Sequence, residues 1–182
     1  MKTNTLKGLS PPKLNQSDAL LWFTDQIQLL KKLKKPSIKF EPGRLFFYYY
    51  DPKLKFELPY YDRFPLVIPL EIYNDGFLAL NLHYLPFNYR KIFLEKLANL
   101  SVKNKDHDIE RYRVSYDILK ISSNIPEFKP CLKRYLFSHI NSRILPIQPN
   151  QWQSALFLPV QKFVKKPSNY VWNESIQQIR GE

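Results

Sequence analysis

Apolar positions along the chain follow two different periods, and the change between them sets out the expected elements. Leu20, Phe23, Ile27 and Leu30 recur at helical spacing behind Ser17, a suitable N-cap, and Asp18. They predict a helix from Ser17 to about Lys35, stopped by Pro36. Leu45 to Tyr50 is then apolar or aromatic at every position, the pattern of a strand covered on both faces. Asp51-Pro52-Lys53 reads as a turn, and a second strand runs from about Pro65 to Tyr73. Pro69 makes that strand an edge or places a bulge in it. Asn74-Asp75-Gly76 marks a hairpin whose Asp-Gly pair supplies positive φ angles. In the strand that follows, Leu78, Leu80, Leu82 and Tyr84 face one side, and Phe77, Ala79, Asn81 and His83 the other.

The second half returns to the helical period. Tyr89, Phe93, Leu97 and Leu100 predict a helix over 88–100, and a further helix is expected over about 112–122. Leu132, Leu136 and Ile140 predict another after Pro130. Arg143 to Ile147 is strand-like, Asn150 caps a short helix to about Phe157, and Ser168 caps a last one whose inner face is Val171, Ser175, Ile176 and Ile179. The fold class is α+β: a small antiparallel β-barrel or sheet, SH3-like in arrangement, from about 44–86 plus 142–147, decorated by several helices. A three-stranded sheet on a helical layer is the alternative. An extended arm over 1–16 precedes a single domain over 17–182 with a helical insertion at 88–141.

Composition narrows the function. Hydrophobic residues make up 44% of the chain, enough for a real core. Four glycines leave no glycine-rich phosphate loop, and fifteen prolines imply rigid connections. Cys131 is the one cysteine, so no intrachain disulfide forms. Met1 to Leu14 is polar and proline-containing, unlike a signal peptide, and no apolar run reaches the roughly 18–20 residues of a membrane helix.

The net charge of +12 is uneven: +6 over residues 1–45, zero over 46–100 and +6 over 101–182. Basic flanks suggest an anionic partner, nucleic acid or an acidic protein face. Lys31, Lys32, Lys34 and Lys35 either complement the C-terminal dipole of the first helix or contact phosphate. Lys129, Lys133 and Arg134, with Arg111 and Arg113 upstream, form the best nucleic-acid candidate. Tyr48, Tyr50, Tyr60 and Tyr61 could stack on bases, but they lie in the neutral segment, so core packing or a protein interface fits them better.

No catalytic pattern emerges. Asp106-His107-Asp108-Ile109-Glu110 reads as a solvated loop. His83 and His139 are far apart in sequence, Cys131 lacks a nucleophile signature, and His/Cys zinc spacing is absent. No cofactor, metal or small-molecule substrate is expected.

Three strings, Gly43-Arg44-Leu45-Phe46-Phe47-Tyr48-Tyr49-Tyr50-Asp51-Pro52-Lys53, Leu58 through Glu71 and Asp75 through Pro86, resemble a family found in large contractile-tailed, T4-like bacteriophages. Lys129 through Leu136 and Leu158 through Phe163 extend the resemblance to roughly residues 17–175. Where this chain has Ala79, similar sequences tend to have Gly. The resemblance implies a small virion or packaging-associated protein and carries no catalytic residues. The first expectation is a non-enzymatic structural or assembly component of a tail baseplate or neck, docking to other virion proteins. The alternative is a DNA-binding protein that protects or positions the packaged genome end. Either would act in the virion, and in the host cytoplasm during assembly.

Overall fold

The computed structural model describes residues 16–31, 44–103, 125–148, 151–157 and 159–182. The expected arm, the 112–122 helix and the 106–110 cluster lie outside these residues. Among the described residues there are seven strands: β1 (Leu45–Tyr50), β2 (Tyr61–Asp62), β3 (Leu66–Ile72), β4 (Gly76–Asn81), β5 (Leu132–Leu136), β6 (Ile140–Ile147) and β7 (Phe163–Val164). Five form one antiparallel sheet in the order β5-β4-β3-β1-β6, and β2 pairs with β7 in a short ribbon. The helices are α1 (Gln16–Lys31), α2 (Phe87–Lys103), α3 (Phe128–Cys131), α4 (Trp152–Phe157) and α5 (Ser168–Arg180).

The continuous apolar run of β1 is explained by two cores. Leu45 and Phe47 join Leu66, Ile68, Leu70 and Leu80 on one sheet face, where α2, α4 and the Trp22, Phe23 and Ile27 side of α1 pack. Phe46, Tyr48 and Tyr50 join Val67, Phe77, Ala79 and Tyr135 on the other. Successive strand residues point to opposite faces, so a strand buried on both must be apolar throughout.

Curvature buries the second face. β5 and β6 are opposite edges of the sheet, yet only Phe137–His139 joins them. In a flat sheet those edges would stand about 19 Å apart, whereas the link spans at most about 14 Å. The sheet therefore curls, and rings three strands apart meet. Tyr50 of β1 and Tyr135 of β5 have centroids 4.9 Å apart at 82°, and the Tyr50 hydroxyl accepts the Leu136 N–H at 3.3 Å. Among the described residues no ladder joins β5 to β6, so the architecture is a curled sheet and not a closed barrel.

Several expectations change. Residues 132–136 form a strand, not a helix. Their i,i+4 apolar spacing also suits β5, where Tyr135 opposes Phe77 and Leu132 opposes Leu80. Gly76 is not needed for positive φ, since among the described residues only Lys165 and Gly181 adopt it. It is needed for close approach: a Cβ there would lie 1.9 Å from the Tyr135 carbonyl oxygen and 2.9 Å from the Leu136 Cα. Pro69 does accompany a bulge, between Pro69 and Glu71, but in a central strand. β6 begins at Ile140, earlier than the expected Arg143, and Pro146 lies within it on the sheet edge. Pro167 occupies the N-cap of α5, so Ser168 is its first helical residue.

Two buried charged groups tie these layers together. The Asp62 carboxylate accepts from His83 Nδ1 at 2.8 Å, Asn81 Nδ2 at 3.1 Å and the Phe64 N–H at 3.1 Å. The Asn81 amide also donates to the Tyr135 hydroxyl at 3.0 Å. Arg90 of α2 donates from Nε to the Leu85 carbonyl at 2.7 Å and from Nη1 to the Leu156 carbonyl at 2.6 Å. Its guanidinium carbon lies 4.6 Å from the Phe87 ring centroid. Burial lowers Arg90 to about 9, against the pull of Asp62, so it remains charged at neutral pH.

Burial likewise holds His83 below its ordinary value and outweighs the attraction of Asp62. Burial alone would raise Asp62, but the His83 ring and the bonds from His83, Asn81 and Phe64 hold it below the usual carboxylate range. The consistent state is an ionised Asp62 accepting from a neutral His83 protonated at Nδ1. Nε2 is buried and has no hydrogen-bond partner, so a second proton there would be stranded.

Gly76→Ala forces backbone apart and is expected to destabilise by up to about 3 kcal/mol, read as a lower denaturant midpoint. A midpoint equal to the parent's would contradict the close approach. A histidine depressed in the fold contributes stability that is complete above about 6.5 and is lost as pH falls below it. The Asp62 contribution, also from a depressed group, is lost lower, below about 4. Stability is therefore expected to fall between pH 7 and 5. By NMR the His83 ring should titrate below the ordinary histidine value of about 6.5, and titration at or above it would refute this account.

Candidate nucleic-acid interface

Of the residues expected to contact an anion, only Lys129, Lys133 and Arg134 have described side chains, and Lys133 and Arg134 point to opposite faces of β5. Lys31 ends α1, with a side chain outside the described residues, and Lys32, Lys34, Lys35, Arg111 and Arg113 lie wholly outside them. Lys129 is exposed on α3. Lys133 turns inward, with Nζ 4.2 Å from the Tyr84 ring centroid, and burial lowers its pKa. Arg134 points to the other face of β5, ion-paired with Asp75 and 4.4 Å from the Tyr73 ring centroid. Tyr48 and Tyr50 are buried aromatic core, which removes them as an interface surface. Tyr60 and Tyr61 are half-buried beside the ribbon.

A different basic and aromatic face is assembled from two distant segments. The first is the turn over residues 52–58. Its backbone closes on itself, with Lys55 N–H donating to the Pro52 carbonyl at 3.2 Å and Glu57 and Leu58 N–H to the Leu54 carbonyl at 2.9 Å each. Lys55 Nζ bonds Asp51 at 2.8 Å, and this bond raises its pKa. The second segment is Lys162 to Lys166, containing β7. Arg63 N–H donates to the Lys162 carbonyl at 2.9 Å, which carries the β2–β7 pairing one step further.

Lys165 clamps the two segments together. It is the one non-glycine residue with positive φ, 73°, among the described residues. Its ammonium donates to the carbonyls of Phe56 at 3.0 Å and Leu58 at 2.6 Å. Lys166 sits 4.5 Å from the Tyr170 ring centroid. Beneath lies an aromatic cluster in which Tyr60 meets Tyr84, Phe163 and Tyr170 at centroid separations of 6.1, 6.3 and 6.3 Å. Burial raises the Tyr60 pKa, and its hydrogen bond with Glu174 adds to the rise.

The surface of this face carries Lys53, Lys55, Arg63, Lys162, Lys165 and Lys166 against Asp51 and Glu57, a net of four positive charges. Asp62 is enclosed with His83 and contributes little outward. Phe56 projects from the turn at 85% exposure, and Leu54 stands beside it at 49%. Cations interleaved with exposed rings suit a nucleic-acid strand, with the cations on phosphate and the rings on bases. Counting charge segment by segment concealed this face, because the 162–166 lysines fold onto the neutral 51–63 stretch. The local signal was the alternation of basic and apolar residues in Lys53-Leu54-Lys55-Phe56 and Lys162-Phe163-Val164-Lys165-Lys166.

The interior offers chemistry but no access. The Asp62 and His83 side chains are 1% and 0% exposed, and Cys131 is buried with its thiol pushed up by desolvation. Among the described residues no group of three or more His, Cys, Asp or Glu could hold a metal, and no helix is long and apolar enough to cross a membrane.

No curated protein and no solved structure shows significant similarity to the chain. One family model, described as phage T4 terminal DNA protecting protein, matches residues 6–179. That span includes every string that carried the resemblance to T4-like phages, and both segments of the basic face. The chain belongs to the phage T4 terminal DNA protecting protein family.

Proposed function

We propose that this protein binds the ends of linear double-stranded phage DNA and shields them from exonucleases by occupancy, without chemistry of its own. The observation that carries this reading is the basic face built from residues 52–63 and 162–166, within a chain whose family is described by terminal DNA protection. Lysine and arginine side chains on that face would meet phosphates, and release of condensed counterions would supply most of the affinity. The enclosed Asp62–His83 pair supports a non-catalytic role, because neither group reaches a substrate. The family description favours DNA-end protection over a tail, baseplate or neck part. Occupancy of genome ends places the protein with packaged or injected DNA, in the virion and in the infected host.

The test is digestion of linear duplex by a processive exonuclease with and without the protein. Protection is expected, weakening steeply as salt rises. The combined variant Arg63→Ala, Lys162→Ala, Lys166→Ala removes three exposed cations and should reduce the slope of log affinity against log salt by about 2–3. A wild-type protein that leaves linear duplex as digestible as naked DNA would end this reading.

A further inference from the structure

Phe56 is the most exposed large hydrophobic residue among those described, at 85%. A lone exposed apolar ring is ordinary on a protein surface, and it becomes a candidate contact only where cations flank it and the backbone holds it in place. Here the backbone does so. The turn over 52–58 is closed by three internal hydrogen bonds, and the Lys165 ammonium pins the Phe56 carbonyl itself. Lys55 Nζ lies 5.5 Å from the Phe56 ring centroid, and Lys53 is exposed on the same turn. The turn backbone is thus held in place, and the exposed ring it carries is flanked by a cation.

Inside a duplex a ring can stack only by wedging base steps apart, which costs a few kcal/mol per step, whereas an end offers a face at no such cost. Along the duplex every base face is covered by its neighbours. Only the outermost pair at an end exposes a face, with phosphates of both strands close by for flanking cations. We propose that Phe56 stacks on the terminal base pair of a DNA duplex, while the lysines of its turn hold the adjacent phosphates. The assignment rests on the end-protection reading and adds to it the feature that distinguishes an end from the rest of the duplex. The Lys165 clamp fixes the turn backbone beforehand, so stacking has only the Phe56 side chain left to order.

The experiment compares full-length protein on two DNAs of the same sequence, one a blunt linear duplex and the other a covalently closed circle of that duplex, which has neither a terminal pair nor unpaired bases. Fluorescence anisotropy at a fixed salt near physiological gives the affinity for each. Wild type is expected to prefer the open duplex by about 5- to 150-fold, the range of one base–aromatic stack. Phe56→Ala should lose that preference while its affinity for the closed duplex and its melting temperature stay unchanged. Phe56→Leu, which keeps apolar bulk without a ring, should behave like Phe56→Ala, and Phe56→Trp should retain the preference. A Phe56→Ala or Phe56→Leu protein that still prefers open ends as wild type does would overturn the assignment. The exonuclease assay separates the two failures. Wild type that gives no protection removes the end-protection reading and the stack with it. Wild type and Phe56→Ala that protect equally remove the stack alone.

Discussion

One buried carboxylate holds the molecule's two sheets to each other. Asp62 belongs to the ribbon strand β2, but its acceptors are filled from β4 through Asn81, from the following turn through His83 and from its own chain through Phe64. Asn81 passes the connection to Tyr135 of β5. An enclosed carboxylate is costly unless its hydrogen-bonding capacity is met, so any displacement of the ribbon from the sheet would strand it. The ribbon carries the basic face, which makes the position of that face a consequence of how this one group is satisfied.

Curvature makes that arrangement possible. A three-residue link between edge strands bends the sheet until Tyr50 and Tyr135 touch, and this encloses an aromatic core on the face where Asn81 also points. Arg90 serves the opposite side, joining α2 to the Leu156 carbonyl of α4 and stacking between Phe87 and Trp172 of α5. Interior charges thus sit at junctions between layers, where backbone carbonyls would otherwise lack partners.

Legibility in the sequence followed the range of the interactions. The β3–β4 hairpin, the Pro69 bulge and the inner face of α5 were readable because neighbours within a few residues determine them. β5 was misread because Leu132, Leu136 and Ile140 fit a helix locally, and only pairing with β4 decides the matter. Gly76 was recognised as special for the wrong reason, since its constraint comes from β5 and not from its own dihedral angles. The basic face was missed for the same cause. Lys165 meets Phe56 across 109 positions, and no window of sequence contains both.

That separation also bears on when the face comes into being. The clamp and the β2–β7 ladder both need residues beyond 160, while the turn they hold is made near residue 56. At ordinary translation speeds of about 5–20 residues per second, the turn waits roughly 5–20 s for its partner to be synthesised. Throughout that interval the ribosome carries a chain with the lysines and phenylalanine of the turn but without the geometry that aligns them. The aligned face therefore exists only in chains that extend past residue 166, and products truncated before it lack it.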